Sequence, residues 1–194
     1  MKRVRTGILI SGRGTNMSAL IDAAKRSDFP AEIVVVISNI AEAGGLARAA
    51  EAGIPTLTLS HRDFSTREAF EAAMDRALRA ARVELVCLAG FMRVLTPGFI
   101  AQWKGRLLNI HPSLLPAFRG LHTHEQALAA GAKHHGCTVH HVVPELDAGP
   151  VIAQASVPVL AGDTPDSLAA RVLAEEVKLY PVALANIAKS LRPL

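Results

Sequence analysis

The sequence predicts an α/β fold of three layers: a mostly parallel central sheet of about seven strands, helices on both faces, and a Rossmann-like N-terminal half. Short apolar runs alternate with longer alanine-rich segments in which charged residues recur at helical spacing. The chain holds 33 alanines and eight aromatic residues, a composition typical of tightly packed helices around an aliphatic core. No internal repeat or linker divides the 194 residues. We therefore expect residues 1–194 to form a single domain.

Continuous apolar runs mark the expected strands. Parallel strands are covered by helices on both faces, so they are apolar throughout and do not alternate. Runs of this kind occupy Val4–Ile10, Glu32–Ser38 and Val83–Ala89, and Thr56–Leu59 is a shorter candidate. Further strands are expected at Leu107–Ile110, near Gly136–Val143 and at Val151–Val157. We expect right-handed crossovers to join the parallel strands.

The segments between these runs predict the helices. They are Met17–Ser27, Ala43–Ala52, Thr66–Ala81, Thr123–Ala130 and a C-terminal helix from Pro165. Ser65 followed by Glu68 indicates a capping box at the start of the third helix. Thr164 is the expected N-cap of the last helix, with Pro165 in its first position. Pro181 lies inside that helix and is expected to kink or split it.

Charge and composition exclude several classes of protein. The formal net charge of +4 suits anionic small substrates. The chain has no run of Lys and Arg and few aromatic residues to stack on bases, so we expect no nucleic-acid partner. No apolar stretch approaches the roughly 20 residues of a membrane helix, and no export signal follows Met1. Cys87 and Cys137 lie far apart in the sequence, which favours a reducing, cytoplasmic setting. The sequence gives no indication of oligomeric state.

The segment Ser11-Gly12-Arg13-Gly14-Thr15-Asn16 joins the first strand to the first helix. Its two glycines allow a tight turn, and N–H groups at a helix start can hold a phosphate. Met17 stands where a dinucleotide fingerprint has its third glycine, and the lysine of a Walker A loop is missing. The pattern predicts a mononucleotide-type phosphate loop with Thr15 and Asn16 as side-chain donors. A plain strand-to-helix turn is the alternative.

Asn109 and His111 lie at the end of an expected buried strand. Ligands bind at the carboxyl ends of strands in open α/β sheets, and residues 109 and 111 point to the same side of a strand. An amide donor and an imidazole that converge in this way suit acyl transfer. Asp147, in a turn-rich loop, could contact His111 and favour its protonated form. The alternatives are a structural histidine and an aspartate that closes its own turn.

Seven of the eight histidines fall between His111 and His141, a density that raises the question of a metal. The run contains no H-E-x-x-H, and its spacings match no usual ligand set. We therefore expect no metal at this site.

The segment Leu88–Leu95 leaves the fourth strand with apolar side chains around Arg93. Such a segment suits the wall of a pocket for a flat heteroaromatic ligand. A core strand end with a solvated arginine fits the same residues, and spacing does not decide between the two.

Five segments together resemble the folate-dependent formyltransferase family. They are Ile10–Asn16, Ala89–Arg93, Leu108–Pro116, Gly120–His124 and Leu146–Pro150. The resemblance runs in order from the first strand to the C-terminal helix, and the run Asn-x-His-Pro-Ser-Leu-Leu-Pro is highly specific to the family. It implies transfer of a formyl group from 10-formyltetrahydrofolate to the amine of glycinamide ribonucleotide in de novo purine biosynthesis, without a metal.

The resemblance also implies three groups of site residues. The ribonucleotide would be bound by Gly14, Thr15 and Asn16 at its phosphate and by Glu176 at its ribose. The folate would lie along Met92, Arg93, Val94 and Leu95, with Arg67 nearer its glutamate tail. The catalytic trio would be Asn109, His111 and Asp147. The N-terminal half would thus bind the nucleotide, and the C-terminal half would bind the folate and catalyse the transfer.

Two residues depart from the family pattern. Ala117 and Arg119 stand where some members have Lys and Pro, so the resemblance does not predict the conformation of this loop.

Three other functions share parts of this pattern. A methionyl-tRNA formyltransferase is expected to carry a further C-terminal RNA-binding domain, for which this sequence leaves no room. A formyltetrahydrofolate hydrolase is expected to carry an N-terminal regulatory domain, whereas this sequence starts directly with the phosphate loop. A non-catalytic folate- or nucleotide-binding module would leave the catalytic trio without a role.

Overall fold

The computed structural model describes residues 2–192 and contains one seven-stranded sheet with helices on both faces. The strands are β1 (Val4–Ile10), β2 (Ala31–Ser38), β3 (Thr56–Thr58), β4 (Leu85–Leu88), β5 (Leu107–His111), β6 (His134–His141) and β7 (Val151–Pro158). The α-helices are α1 (Thr15–Ala24), α2 (Gly44–Glu51), α3 (Arg67–Ala80), α4 (Pro97–Gln102), α5 (Thr123–Ala129) and α6 (Pro165–Ser190), and a 3₁₀ turn covers His61–Asp63. The predicted three-layer α/β fold is confirmed.

The sheet has the strand order β3-β2-β1-β4-β5-β6-β7. The first five strands in this order are parallel, whereas β6 runs antiparallel to both β5 and β7. The strand order of the parallel part is that of a Rossmann-like half. Strands β2 and β3 are added on one side of β1, and β4 and β5 on its other side, so the order of addition reverses between β1 and β4. Ligands bind in the crevice at such a reversal. The predicted phosphate loop follows β1, and the predicted ligand wall follows β4.

Two hydrophobic cores lie on opposite faces of the sheet. Helices α1, α2, α5 and α6 cover one face, and α3 and α4 cover the other. Successive strand residues point to opposite faces, so Leu108 packs in the first core and Leu107 in the second. Asn109 and His111 therefore share the face of Leu107. None of the helices in residues 2–192 is both long and apolar enough to cross a membrane.

Helix α1 begins at Thr15, two residues earlier than the apolar pattern predicts. Gly14 precedes it in the left-handed conformation, with φ of 74°. A Cβ on Gly14 would come within 2.8 Å of the Cα of Gly45. The loop thus needs glycine at position 14 for its conformation and for its packing against α2.

Replacing Gly14 with alanine is expected to lower the free energy of unfolding by about 1–3 kcal/mol, because the new Cβ is strained and overlaps backbone atoms. The matched control is Gly12→Ala, where a Cβ would meet nothing within 4 Å. Chemical denaturation of both variants measures the difference. Equal denaturation midpoints for the two variants would contradict a structural need for glycine at position 14.

The predicted capping box of α3 is wrong. Thr66, one residue later than Ser65, is the N-cap, and its hydroxyl accepts a hydrogen bond from the N–H of Ala69 at 3.1 Å. Thr66 has the extended backbone that an N-cap requires. The pairing of Ser65 with Glu68 would have started the helix one residue too early.

Of the two outcomes expected at Pro181, a kink or a split, the split does not occur, because α6 is one helix from Pro165 to Ser190. A proline inside a helix costs about 3 kcal/mol. Tyr180, Ala183 and Leu184 around it are fully buried, and their packing offsets that cost. The predicted start is confirmed: Thr164 is the N-cap and Pro165 the first helical residue.

Helix α4 was not predicted. It is six residues long, too short for an apolar period to show. Thr96 is its N-cap and accepts from the N–H of Phe99 at 3.3 Å, and Pro97 is its first residue. The same Thr-Pro pair opens α6, so the sequence carried a usable signal for this helix.

Candidate active site

A cavity of about 730 Å³ opens at the carboxyl ends of β4 and β5, a size typical of small-molecule sites. Its walls come from four parts of the chain that lie apart in sequence. They are residues around 88–95, 109–112, 120–125 and 140–147. The cavity therefore brings together Met92–Leu95, Asn109, His111 and Asp147, as the sequence analysis expects.

His111 is held between a backbone carbonyl and a carboxylate. Its Nε2 lies 3.0 Å from the carbonyl oxygen of Phe118, which only accepts, so Nε2 carries a proton. Its Nδ1 lies 3.5 Å from Oδ2 of Asp147, and both side chains are only 7% exposed. In a neutral ring the lone pair of Nδ1 would face the carboxylate. A proton on Nδ1 would turn this contact into a charge-assisted hydrogen bond to the carboxylate.

Asp147 reaches out of its own loop. Its Oδ2 accepts a hydrogen bond from the N–H of Gly120 at 2.9 Å, so the carboxylate links two loops and does not close its own turn. The backbone of Asp147 is left-handed, with φ of 50°. Two residues on, a Cβ on Gly149 would come within 1.6 Å of the carbonyl oxygen of His141. The loop is thus packed directly against β6, and this packing positions the carboxylate.

Asn109 contacts a histidine that the sequence analysis did not single out. His140 lies directly opposite Asn109 in the β5–β6 pair, and its Nε2 is 3.2 Å from Nδ2 of Asn109. The Nδ1 of His140 donates to the carbonyl oxygen of His141 at 2.9 Å. Burial lowers the pKa of His140. Asn109, His111, His140 and Asp147 therefore form one polar cluster at the base of the cavity.

The phosphate-loop residue Asn16 contacts Glu176 of α6. Its Nδ2 donates to Oε2 of Glu176 at 2.8 Å, and burial raises the pKa of that carboxyl. The structure thus brings together two residues that the resemblance assigns to one ligand. The first N–H groups of α1 have no partners within the helix. They and Thr15 supply donors beside this pair.

Ser11 joins the phosphate loop to the cavity wall. Its Oγ accepts from the N–H of Met92 at 2.8 Å and donates to Oδ1 of Asn39 at 2.5 Å. Its own N–H donates to the carbonyl oxygen of Gly90 at 3.0 Å. The two expected ligand sites therefore share an edge.

The cavity rim carries exposed apolar side chains. Met92 is 68% exposed, Val94 56% and Leu121 69%. Large apolar side chains exposed around one cavity indicate a ligand with an apolar face. Leu95 lies buried behind them. Arg67 is the exposed first residue of α3 and is not among the residues that line the cavity.

The clustered histidines differ in their surroundings. Four of them line the cavity: His111, His122, His124 and His140. His135 is fully buried, and its Nε2 lies 3.2 Å from Nδ1 of His124. Burial lowers the pKa of His135 to about 4. In the part of the chain that the structure describes, His, Cys, Asp and Glu form no group of three or more that could hold a metal ion.

Comparison with known proteins gives a family for this arrangement. Residues 4–184 match the family model described as formyl transferase. Phosphoribosylglycinamide formyltransferase of Escherichia coli K12 is 50% identical over 177 residues, which are 91% of this chain and 84% of that protein. The trifunctional purine biosynthetic protein adenosine-3 of Drosophila melanogaster is 53% identical over 188 residues. The chain spans only 14% of that trifunctional protein.

Solved structures agree with the sequence comparisons. The crystal structure of phosphoribosylglycinamide formyltransferase from Brucella melitensis superposes with a TM-score of 0.93 at 57% identity and covers 96% of each chain. Glycinamide ribonucleotide transformylase 1 from Symbiobacterium toebii superposes with a TM-score of 0.95 at 47% identity, covering 97% of this chain and 89% of that one. Because the family match extends from β1 into α6 and includes every strand, the chain belongs to the formyl transferase family.

Proposed function

We propose that the protein transfers the formyl group of 10-formyltetrahydrofolate to the primary amine of glycinamide ribonucleotide in de novo purine biosynthesis. The observation that carries the proposal is the buried pair of His111 and Asp147, 3.5 Å apart, in the cavity that Asn109 also lines. Relatives named phosphoribosylglycinamide formyltransferase support the choice of acceptor. In this proposal residues 1–194 act as one domain, whose N-terminal half binds the nucleotide.

The ribonucleotide is assigned to the loop after β1. Gly14, Thr15 and Asn16 would bind its phosphate, since the start of α1 offers free N–H groups and a positive helix end. Glu176 would accept hydrogen bonds from the ribose hydroxyls. The hydrogen bond between Asn16 and Glu176 supports this assignment because one ligand can then contact both side chains.

The folate is assigned to the cavity wall. Its flat pteridine would lie against Met92, Arg93, Val94 and Leu95, with the loop that ends at Asp147 on the other side. The exposed apolar side chains of this wall fit such a ring. Arg67, outside the cavity lining, would lie nearer the glutamate tail.

The polar cluster supplies the chemistry of transfer. The uncharged amine of the ribonucleotide attacks the formyl carbon, and a tetrahedral oxyanion forms. The amide N–H of Asn109 and the positive charge of His111 stabilise that oxyanion. The bond between the formyl carbon and N10 then breaks as N10 receives a proton, while Asp147 stabilises the imidazolium and helps remove the proton that the amine loses. The products are formylated ribonucleotide and tetrahydrofolate.

The choice of acceptor is the most direct test of this function. The protein is incubated with 10-formyltetrahydrofolate alone, with glycinamide ribonucleotide, or with aminoacylated initiator tRNA, and formylated product and free formate are both measured. We expect product with the ribonucleotide and no comparable formate release without it. Formate release at the same rate without an acceptor would indicate a hydrolase instead. Binding without any turnover would indicate a non-catalytic module.

Replacing Val94 with aspartate is expected to raise the KM for the folate about tenfold or more, because a bound ring would bury a carboxylate without a partner. The affinity for the ribonucleotide should change little. The matched control is Val182→Asp on α6, since Val182 is also 56% exposed and does not line the cavity. Steady-state kinetics measures both constants. An unchanged folate KM in folded Val94→Asp would remove this segment from the site.

A further inference from the structure

His140 lies within the polar cluster of the cavity, yet the reaction described above gives it no part. It is directly opposite Asn109, and the pairing of β6 with β7 shifts register between Val139 and His140. Its side chain is 3% exposed. Irregularities of this kind occur beside active sites, where they re-aim a side chain.

A backbone contact fixes the tautomer of His140. Its Nδ1 lies 2.9 Å from the carbonyl oxygen of His141; since that oxygen only accepts, Nδ1 carries the proton. In the neutral ring Nε2 is then an acceptor. It lies 3.2 Å from Nδ2 of Asn109. His140 therefore accepts a hydrogen bond from one N–H of the Asn109 amide, and this bond determines the orientation of the whole amide group.

A proton on Nε2 would disturb two contacts at once. It would place a donor against the donor of Asn109. It would also bring a positive charge within 3.9 Å of Oδ1 of Asp147. The same carboxylate contacts His111, so two imidazolium rings would compete for one negative charge.

We propose that neutral His140 is a positioning residue for formyl transfer. It holds the Asn109 amide with an N–H toward the reacting carbonyl, and because it carries no charge it does not compete with His111 for the carboxylate of Asp147. This inference rests on the proposed function. It differs from the roles of Asn109, His111 and Asp147 because His140 acts through two of them and not on the substrate.

The surroundings of His140 determine the pH range over which its ring stays neutral. The groups that face it are Asp147 from the following loop, His111 from β5 and His141 on its own strand. Burial lowers the pKa of His140, and the bond to the His141 carbonyl and the charge of Asp147 oppose that effect. The neutral form thus persists below the pH at which an exposed histidine takes up its proton. Activity should fall as pH drops through the pKa of His140.

Two substitutions of His140 distinguish a role in positioning Asn109 from a role in packing alone. Gln offers an amide oxygen that can accept from Asn109 and does not titrate, whereas Leu fills the space without an acceptor. We expect His140→Leu to lower kcat about tenfold or more with both KM values within about twofold. His140→Gln should keep kcat within about threefold and shift or remove the acid limb of its pH profile. His134→Gln, at the exposed start of the same strand, is the control and should leave the profile unchanged.

Equal losses in His140→Gln and His140→Leu, or an unchanged acid limb in His140→Gln, would overturn the proposal. If His140→Leu does not fold, the pH profile of His140→Gln alone decides. If the wild type transfers no formyl group, the proposed function itself fails. Nitrogen NMR of the imidazole rings then tests the inference without substrate: a proton on Nδ1 of His140 at neutral pH supports it, and a proton on Nε2 contradicts it.

Discussion

Replacing Asp147 with asparagine is expected to slow formyl transfer by a factor on the order of 10² or more, because charge stabilisation and proton removal are lost together. The variant keeps the size of the side chain and can still accept from the N–H of Gly120, which lies 2.9 Å from Oδ2. It loses the negative charge 3.5 Å from Nδ1 of His111. Both substrates should therefore still bind.

Single-turnover kinetics measures this rate, and calorimetry with each substrate measures binding. The matched control is Asp28→Asn, the same substitution at a residue that does not line the cavity, because the side chain of Asp28 is 67% exposed and pairs with Arg26 at the surface. We expect the control to keep a rate within about twofold of wild type, as exposed ion pairs contribute little. A rate for Asp147→Asn within about threefold of wild type would leave Asp147 with a structural role only.

Replacing Gly149 with alanine should also cause a large loss, although this residue is not assigned to either substrate. The added Cβ would lie 1.6 Å from the carbonyl oxygen of His141 and 2.7 Å from its carbonyl carbon. Only movement of the backbone relieves that overlap, and Asp147 lies two residues away. A shift of about 1 Å in a catalytic group can cost on the order of 10²-fold in rate, and we expect a loss of that size.

The control for Gly149→Ala is Gly98→Ala in α4, where the nearest atom to an added Cβ is Oγ1 of Thr96 at 3.8 Å. Both variants are assayed for transfer at a temperature where circular dichroism shows them folded. The control should retain wild-type activity. Wild-type activity in folded Gly149→Ala would show that the packing of this loop against β6 does not position Asp147.

The inner strands of the parallel half were predictable because they are largely buried on both faces, whereas the edge strand β3 is exposed. Val4–Ile10 was assigned with its observed bounds, since a strand under two helical layers must be apolar at almost every position. The start of α6 was equally clear, because Thr164 and Pro165 have specific roles at a helix N-terminus. The split allowed for at Pro181 does not occur, because the buried side chains around the proline offset its local cost, and the sequence does not show that packing.

The polar cluster was only partly predictable. Strand periodicity places Asn109 and His111 on one side of β5. The turn-rich loop suggested Asp147 as a partner of His111, and the family resemblance assigned all three residues to one catalytic trio. The pairing of His140 with Asn109 depends on the register of β5 and β6, which the side-chain pattern of neither strand determines. The carbonyl of Phe118 and the N–H of Gly120, which hold His111 and Asp147, are backbone groups. Every residue carries such groups, so no sequence pattern marks them.

We propose that His111 and Asp147 act as one catalytic unit in formyl transfer. Single-turnover transfer to glycinamide ribonucleotide by the wild type, His111→Ala, Asp147→Asn and the double variant tests it most directly. Groups that act as a unit are not additive, so the double variant should be little slower than the slower single variant. A rate loss in the double variant equal to the product of the two single losses would contradict the claim.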